Sequence, residues 1–393
     1  MRRIQLLLLT MICTLAAQAQ LNGDGYYRVK SSKQGRYARV LDNKGSINYQ
    51  TTDADLGALC TQRSWDIVVS DPGSIIYFKK IKEPNGYDFK SQGTGSYKII
   101  QYAVQVEDMG DNKYWCSAST SGMVKYLADE IYYDWMPDEE AKERGRLVTN
   151  VNPNTQSEYL DWDVIPVTTG DNYFGLAPTV SAGGSYYQTF YAAFPFTFFS
   201  EGMEAYYVDN INETTGKVHI KEITGGVPAS TPVIVKCAAQ TPASNKLNVG
   251  VSTSGSASDN QLKGVYFCNP DAGSVHTNVT AYVPDTMRVL GTASDGSLAF
   301  VKATNLKYIP SNTAYIKVSP SAPDVLKVIT GEEPSYPRGD LNHDSKVNVT
   351  DYVVIGNMIL GITPETSEAD LNNDGTVNVT DAVILGNIIL KAE

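Results

Sequence analysis

The chain has 393 residues, a formal net charge of −11, and only 19% charged residues. That length allows about two or three domains, and a charged share below the usual ~25% suits β-rich extracellular proteins. The acidic balance excludes a nucleic-acid partner, whose recognition rests on Lys and Arg contacts to phosphate.

Residues 1–19 read as a signal peptide. Arg2 and Arg3 form its positive end, Ile4 to Leu15 its apolar core, and Ala17-Gln18-Ala19 a cleavage site before Gln20. The apolar run falls well short of the ~20 residues a membrane span needs. Met11-Ile12-Cys13 lacks the small residue expected before a lipidated Cys. No other stretch is apolar enough to form a transmembrane segment, so the mature chain is expected in the periplasm, on the cell surface or outside the cell. Export permits disulfides among Cys60, Cys116, Cys237 and Cys268. Sequence leaves three pairings open, as well as four unbridged thiols. Pairing within domains would give Cys60–Cys116 and Cys237–Cys268. The absence of CxxC argues against redox or zinc-ribbon chemistry.

Residues 20–180 are rich in Tyr, Trp and short alternating runs. Tyr26 to Lys30 and Arg36 to Val40 alternate around Lys33-Gln34-Gly35, a hairpin pattern. Similar pieces lie at Gly95 to Ile100 and Gly122 to Leu127, and Trp65-Asp66-Ile67 is echoed by Trp162-Asp163-Val164. On these motifs the region resembles ricin-type β-trefoils, in which a hairpin and a Trp-led strand repeat three times. Its glycines are spaced less evenly than in that family. The resemblance implies a core role for Trp65 and Trp162 and leaves Trp115 as a ligand contact. Pro137 to Arg146 reads as a helical surface insertion.

Residues 183–330 also read as β. Tyr187 to Phe199 is too densely aromatic for a helix face. Val227 to Val235 and Ile309 to Lys317 each read as a Pro-led turn feeding a buried strand, and Met287 to Val301 as a hairpin. Such regular short strands suggest a β-sandwich. The region resembles a β-module of large secreted proteins of Gram-negative gut bacteria, which implies a spacer or adhesion role. Residues 331–338 have linker composition.

Residues 339–393 repeat one motif. Asp340-Leu341-Asn342-His343-Asp344-Ser345-Lys346-Val347-Asn348-Val349-Thr350-Asp351 returns as Asp370-Leu371-Asn372-Asn373-Asp374-Gly375-Thr376-Val377-Asn378-Val379-Thr380-Asp381. Each copy runs into an apolar stretch. Oxygen side chains at positions 1, 3, 5, 9 and 12 of a twelve-residue loop suit calcium, which takes six to eight oxygens at about 2.3–2.6 Å. The segment resembles a type I dockerin, the module that plugs enzymes into cohesin domains. The resemblance implies two Ca2+ ions. Asp340, Asn342, Asp344, Asn348 and Asp351 would ligate one, and Asp370, Asn372, Asp374, Asn378 and Asp381 the other. Lys346 and Thr376 would contribute backbone carbonyls, and Val347 and Val377 would pair the loops. Ser345 stands where a sharp turn favours Gly, so loop one should bind more weakly. An apolar face of Val353, Val354 and Leu360 is expected to pack on one of Val383, Ile384 and Leu390.

The same resemblance assigns partner contacts to Val349, Thr350, Gly356 and Asn357, and to Val379, Thr380, Gly386 and Asn387. The surface is less charged than in clostridial members, which disfavours a clostridial cohesin. Near-identity of the halves implies two equivalent docking orientations.

An enzyme is disfavoured but not excluded. Neither upstream region has the strand–helix alternation or the ~250 residues of a (β/α)₈ barrel. Paired carboxylates for a glycoside hydrolase would come from Asp134, Asp138, Glu139, Glu140, Asp161 or Asp163, which read more simply as surface charge. His219, His276 and His343 sit in no nucleophile or HExxH motif. The sequence therefore predicts a mainly β multidomain chain: β-trefoil-like, then β-sandwich-like, then a small α-helical calcium-binding dockerin. Its expected function is docking to a cohesin-like partner as an accessory to polysaccharide binding or catabolism, with a glycan as a further partner. The alternatives are a small β-fold glycoside hydrolase and a structural or adhesion protein.

Overall fold

The structure, a computed structural model, describes residues 21, 23–41, 59–93, 103–120, 122–133, 135, 139–149, 151–268, 278–330, 337–342, 344–372 and 374–391. The signal peptide, the hairpin at Gly95 to Ile100, Asp134, Asp138, His276, His343 and most of the linker lie outside them.

Among the described residues, the first sheet has eleven strands. They are β1 Gly25–Ser31, β2 Tyr37–Val40, β3 Leu59–Gln62, β4 Ile76–Lys82, β5 Gly86–Ser91, β6 Val104–Gly110, β7 Lys113–Thr120, β8 Met123–Tyr126, β9 Ala128–Asp129, β10 Arg144–Val148 and β11 Trp162–Pro166. Six of them close a ring. β1 pairs β4, then β5, β6, β7 and β11 follow in turn, and β11 returns to β1, every step antiparallel. Because side chains alternate along a strand, each ring strand sends every second residue inward. Tyr27 and Val29, Phe78, Tyr87 and Phe89, Val104 and Val106, Tyr114 and Cys116, and Trp162 and Val164 form one core. Phe78 and Phe89 stack with ring centroids 4.0 Å apart. β2, β3, β10 and β9 continue outside the ring, and β8 extends β7.

A buried ion pair ties the outer strands to β1's turn. Arg36 meets Asp129 through Nε–Oδ2 at 2.8 Å and Nη2–Oδ1 at 2.8 Å, and the Thr61 hydroxyl donates to Asp129 at 2.7 Å. Burial pushes the Asp129 carboxyl up to about 6, against the pull of Arg36 and Thr61.

The second part holds β12 Phe174–Gly175, β13 Val180–Ala182, β14 Ser185–Phe190, β15 Phe196–Phe198, β16 Glu204–Asn212, β17 Lys217–Glu222, β18 Val233–Cys237, β19 Lys246–Val249, β20 Leu262–Val265, β21 Met287–Thr292, β22 Leu298–Val301, β23 Thr313–Lys317 and β24 Val325–Thr330. β12, β19 and β15 make a three-stranded sheet, and the other ten run β13-β14-β18-β16-β17-β24-β22-β21-β23-β20. The expected hairpin at Met287 to Val301 is β21–β22, and the two Pro-led turns feed β18 and β23. The aromatic run becomes β14 and β15, with Phe190, Phe194 and Phe196 in one core. β24 is flanked on both sides, parallel to β17 and antiparallel to β22. Val208, Ile220, Ile234, Phe300, Ile316 and Leu326, from strands far apart along this sheet, meet in a second core, so the sheet folds back on itself.

The two β parts share a packed seam. Arg28, on β1's outer side, is buried there. Its guanidinium donates to Ser74 Oγ (3.0 Å), Asn172 Oδ1 (3.0 Å), the Tyr173 carbonyl (2.8 Å) and the Val68 carbonyl (3.3 Å). The Gln92 and Asn312 amides pair at 3.0 Å, and the Tyr266 hydroxyl donates to the Ser91 carbonyl at 2.9 Å. Gly93 lies so close that a Cβ there would stand 2.3 Å from the Ala193 carbonyl oxygen. Ile75 enters the core of the second part.

Cys60, Cys116, Cys237 and Cys268 form no disulfide. Burial pushes the Cys116 and Cys237 thiols up to about 12, which keeps them protonated and inert. The Trp65 segment departs from the expected strand. It forms the short helix α1, Trp65–Val68, and its indole is half-buried under the Arg28 guanidinium at 5.0 Å, between Tyr37 and Tyr173. The Arg28 cation and the two rings hold it at the seam rather than in the ring core. Within the expected insertion, Glu139–Glu143 forms α2, and Arg144 already starts β10.

Candidate calcium loops and docking face

Each C-terminal repeat is a loop followed by a helix: α3 Val349–Ile359 and α4 Val379–Lys391. The loop wraps around its last carboxylate. Asp351 is fully buried and accepts from the NH groups of Leu341 (2.8 Å), Asn342 (3.1 Å) and Asn348 (2.9 Å). The first carboxylate, Asp340, accepts from the NH groups of Asp344 (3.1 Å) and Ser345 (2.7 Å). Asp344 accepts from Lys346 NH at 2.9 Å, and Asn348 caps α3 by accepting from Thr350 NH at 2.8 Å.

Loop two repeats the set. Asp381, also fully buried, accepts from Leu371 (2.8 Å), Asn372 (3.1 Å) and Asn378 (3.0 Å). Asp370 accepts from Asp374 (3.1 Å) and Gly375 (2.8 Å), and Asn378 accepts from Thr380 (2.8 Å). Asp374 is held below the usual carboxylate range by the Thr376 hydroxyl first and the Asn372 amide second. At the sharp turn Ser345 has φ +69° and Gly375 φ +87°.

The donor set of each loop is all oxygen, with three carboxylates and two Asn carbonyls, which fits a hard cation such as calcium. Among the described residues, no three carboxylate, imidazole or thiol groups gather around one point. The loop oxygens accept from NH groups of their own loop, which orders the donors around the turn. Asn342 and Asn372 each direct an amide NH to the position-5 carboxylate, at 3.0 and 2.8 Å.

The two helices pack through Ile355, Met358, Ala382 and Leu385, joined by Leu341, Leu371 and Val377, with Val347, Val354 and Ile384 partly buried against them. Gly339 opens the unit at φ +98°, where a Cβ would stand 2.7 Å from Leu385. The expected packing face is therefore corrected. Val353 (58%), Leu360 (74%), Val383 (60%) and Leu390 (76%) are exposed, as are Val349 (69%) and Val379 (67%). One turn of 3.6 residues carries Ile355 to Met358 and leaves Val353 on the opposite side. Val347 and Val377 share the core, but the isolated bridges among the described residues do not pair them.

Of the expected partner contacts, Val349, Thr350, Val379, Thr380 and Asn387 are exposed, while Gly356, Asn357 and Gly386 are half-buried. A Cβ at Gly356 would meet nothing, and one at Gly386 would only touch Tyr352 at 3.5 Å. Neither glycine is needed for internal packing.

Upstream, the tryptophans divide. Trp162 is buried, and its indole NH donates to the Leu127 carbonyl at 2.9 Å. Trp115 donates to Asp161 Oδ1 at 2.7 Å, which commits its polar edge inside the fold. Trp135, the most exposed aromatic among the described residues at 77%, stacks on Tyr133 at 5.8 Å and carries no signal in the sequence that sets it apart. Among the described residues, three of the candidate carboxylates have other partners. Asp161 holds Trp115, Asp163 accepts from the Ser32 hydroxyl at 2.7 Å, and Glu139 pairs with Lys142 at 2.6 Å. His219 lies buried on β17.

Residues 338–390 match the Dockerin type I domain family. The chain carries a type I dockerin domain there, which supports calcium binding and docking to a cohesin partner, behind a body that is mainly β. No curated protein matches the chain. Among solved structures, one titled "Structure and mode of action of a mosquitocidal holotoxin" is similar to 76% of this chain at 9% identity. This chain spans about a third of that one (34%), and at a TM-score of 0.22 the likeness carries no argument. Among the described residues, no helix is long and apolar enough to cross a membrane.

Proposed function

We propose that this chain is a secreted attachment protein whose β body is carried to a cohesin-like partner by two calcium-loaded loops, as an accessory to polysaccharide binding. The observation that carries the reading is the repeat of one hydrogen-bond set around two fully buried carboxylates, Asp351 and Asp381. In this reading Asp340, Asn342, Asp344, Asn348 and Asp351 hold one calcium, and Asp370, Asn372, Asp374, Asn378 and Asp381 the other. Lys346 and Thr376 add backbone oxygens. Loaded loops fix the starts of α3 and α4, and the exposed valines and leucines meet the partner. The glycan part rests on a β-trefoil-like reading of the first region. Its support is the antiparallel closure of six strands, with β2–β3 following the first of them and β8–β10 preceding the last.

The test is a pull-down of cohesin-domain proteins from the source cell's envelope by the full chain. Capture in calcium that is lost with a chelator is expected. Capture indifferent to calcium, and retained by the Asp351→Ala/Asp381→Ala double variant, would remove the reading. Incubation with insoluble polysaccharides then separates binding from released sugar, which would favour the hydrolase alternative.

A further inference from the structure

The three residues before loop one lead the chain onto the second repeat. Pro337 opens a turn, its carbonyl accepting from Asp340 NH at 2.9 Å. Gly339 is buried at φ +98°, and a Cβ there would stand 2.7 Å from Leu385 of α4 and 3.2 Å from Val347. That conformation and that closeness suit glycine alone. Between them, Arg338 reaches loop two, where its Nη2 donates to the Leu371 carbonyl. The same peptide unit carries the Asn372 NH, which donates to Asp381 Oδ1 at 3.1 Å. One rigid peptide plane is thus held at both ends, by Arg338 on its carbonyl and by the last carboxylate of loop two on its NH. The thirty-residue register gives loop one no counterpart. Glu368 stands where Arg338 does, and Ala369 where Gly339 does. An ionised carboxylate has no hydrogen to donate to the Leu341 carbonyl.

We infer that Arg338 is a positioning residue for calcium loop two, and that calcium there in turn fixes the point at which the chain enters the C-terminal unit. A hydrogen bond from a charged donor is stronger than a neutral one. Arg338 holds the 371–372 peptide, and that peptide orients Asp381. Loop two then has less left to order when the metal arrives, so it binds more tightly. Linkage makes the effect mutual: what Arg338 adds to calcium affinity, calcium adds to the hold on Arg338. This role presumes calcium in the loops, as proposed above, and is independent of the docking partner and of any glycan. It makes Arg338 and Gly339 parts of the second calcium site, although they precede the first in sequence.

The test is calcium titration of the full chain by calorimetry, with Arg338→Ala added to each single-loop variant. Beside Asp351→Ala, which leaves loop two, Arg338→Ala should weaken calcium about fivefold, or about 1 kcal/mol, the worth of one hydrogen bond. Beside Asp381→Ala, which leaves loop one, it should change the affinity by less than about twofold. Removing only a positive charge near a cation site would tighten calcium, so the sign of the change separates positioning from charge. Tightening in loop two, no change there, or equal weakening of both loops overturns the inference. Trypsin supplies a second measurement, because it cuts after Arg338. In calcium, mass spectrometry should find the Arg338–Gly339 bond protected in the Asp351→Ala chain and cut in the Asp381→Ala chain. Equal cutting of the two overturns the coupling. An unsubstituted chain that binds no calcium overturns the calcium reading as well, whereas calcium binding indifferent to Arg338 removes this role alone.

Discussion

Ser345 holds a left-handed backbone, φ +69°, where Gly375 stands in the sister loop. A Cβ in that conformation costs roughly 1–2 kcal/mol. Ser345→Gly is therefore expected to stabilise the C-terminal unit by about 1 kcal/mol, measured by denaturant unfolding, and to tighten loop one for calcium. Asp351→Ala leaves only loop two, and Asp381→Ala only loop one, so titration should find tighter calcium in the first variant; equal affinities would sink the idea. Asp129 offers a pH test. Its folded value of about 6 lies above an unfolded value of about 3.9, so the folded chain holds this proton between the two. Stability from this group is fully present below about pH 4 and is lost as pH rises through about 6. Asp129→Asn should flatten that part of the stability curve, and an unchanged slope would refute the assignment. The two loops stand out in the sequence because oxygen side chains recur in them at fixed spacing. Arg28 does not, because its burial is made by Asn172 and Tyr173, more than a hundred residues away.

The helices show where periodicity loses its hold. α3 and α4 are apolar on most sides, so spacing alone does not say which face is buried, and the expected face came out partly reversed. The thirty-residue repeat is the better guide. Val349 and Val379, Val353 and Val383, and Leu360 and Leu390 have nearly equal exposure in pairs, so the unit presents one apolar face twice. Val353→Asp or Val383→Asp alone should cost cohesin affinity only slightly, because the other face remains. The double variant should lose roughly a hundredfold, or about 2.7 kcal/mol, in a surface-binding assay. A full loss from one substitution alone would show that a single face docks. In the ring, by contrast, a strand's period of two leaves little choice of face: β1 buries Tyr27 and Val29, and β11 buries Trp162 and Val164. Trp162→Ala there should cost about 3–5 kcal/mol, read from thermal unfolding.

At the scale of the molecule, the two β parts read as separate stretches of sequence yet share Arg28, the Gln92–Asn312 pair and the close contact at Gly93. Such seams pair residues too distant in sequence for local patterns to record. Calorimetry is expected to show the β body unfolding in one transition and the C-terminal unit in another. Chelation should shift only the second, since a ligand stabilises only the unit that binds it. Gly93→Ala, which forces a Cβ against the Ala193 carbonyl, should lower the first and leave the second unmoved. One common transition that follows calcium would contradict this division. The route from body to dockerin has a mechanical side. The body ends at Thr330 on β24, which is bonded to β17 on one flank and β22 on the other. Force transmitted from an anchored partner along β24 loads both ladders in shear, so their bonds share the load, whereas a strand at the sheet's edge would lean on one ladder alone.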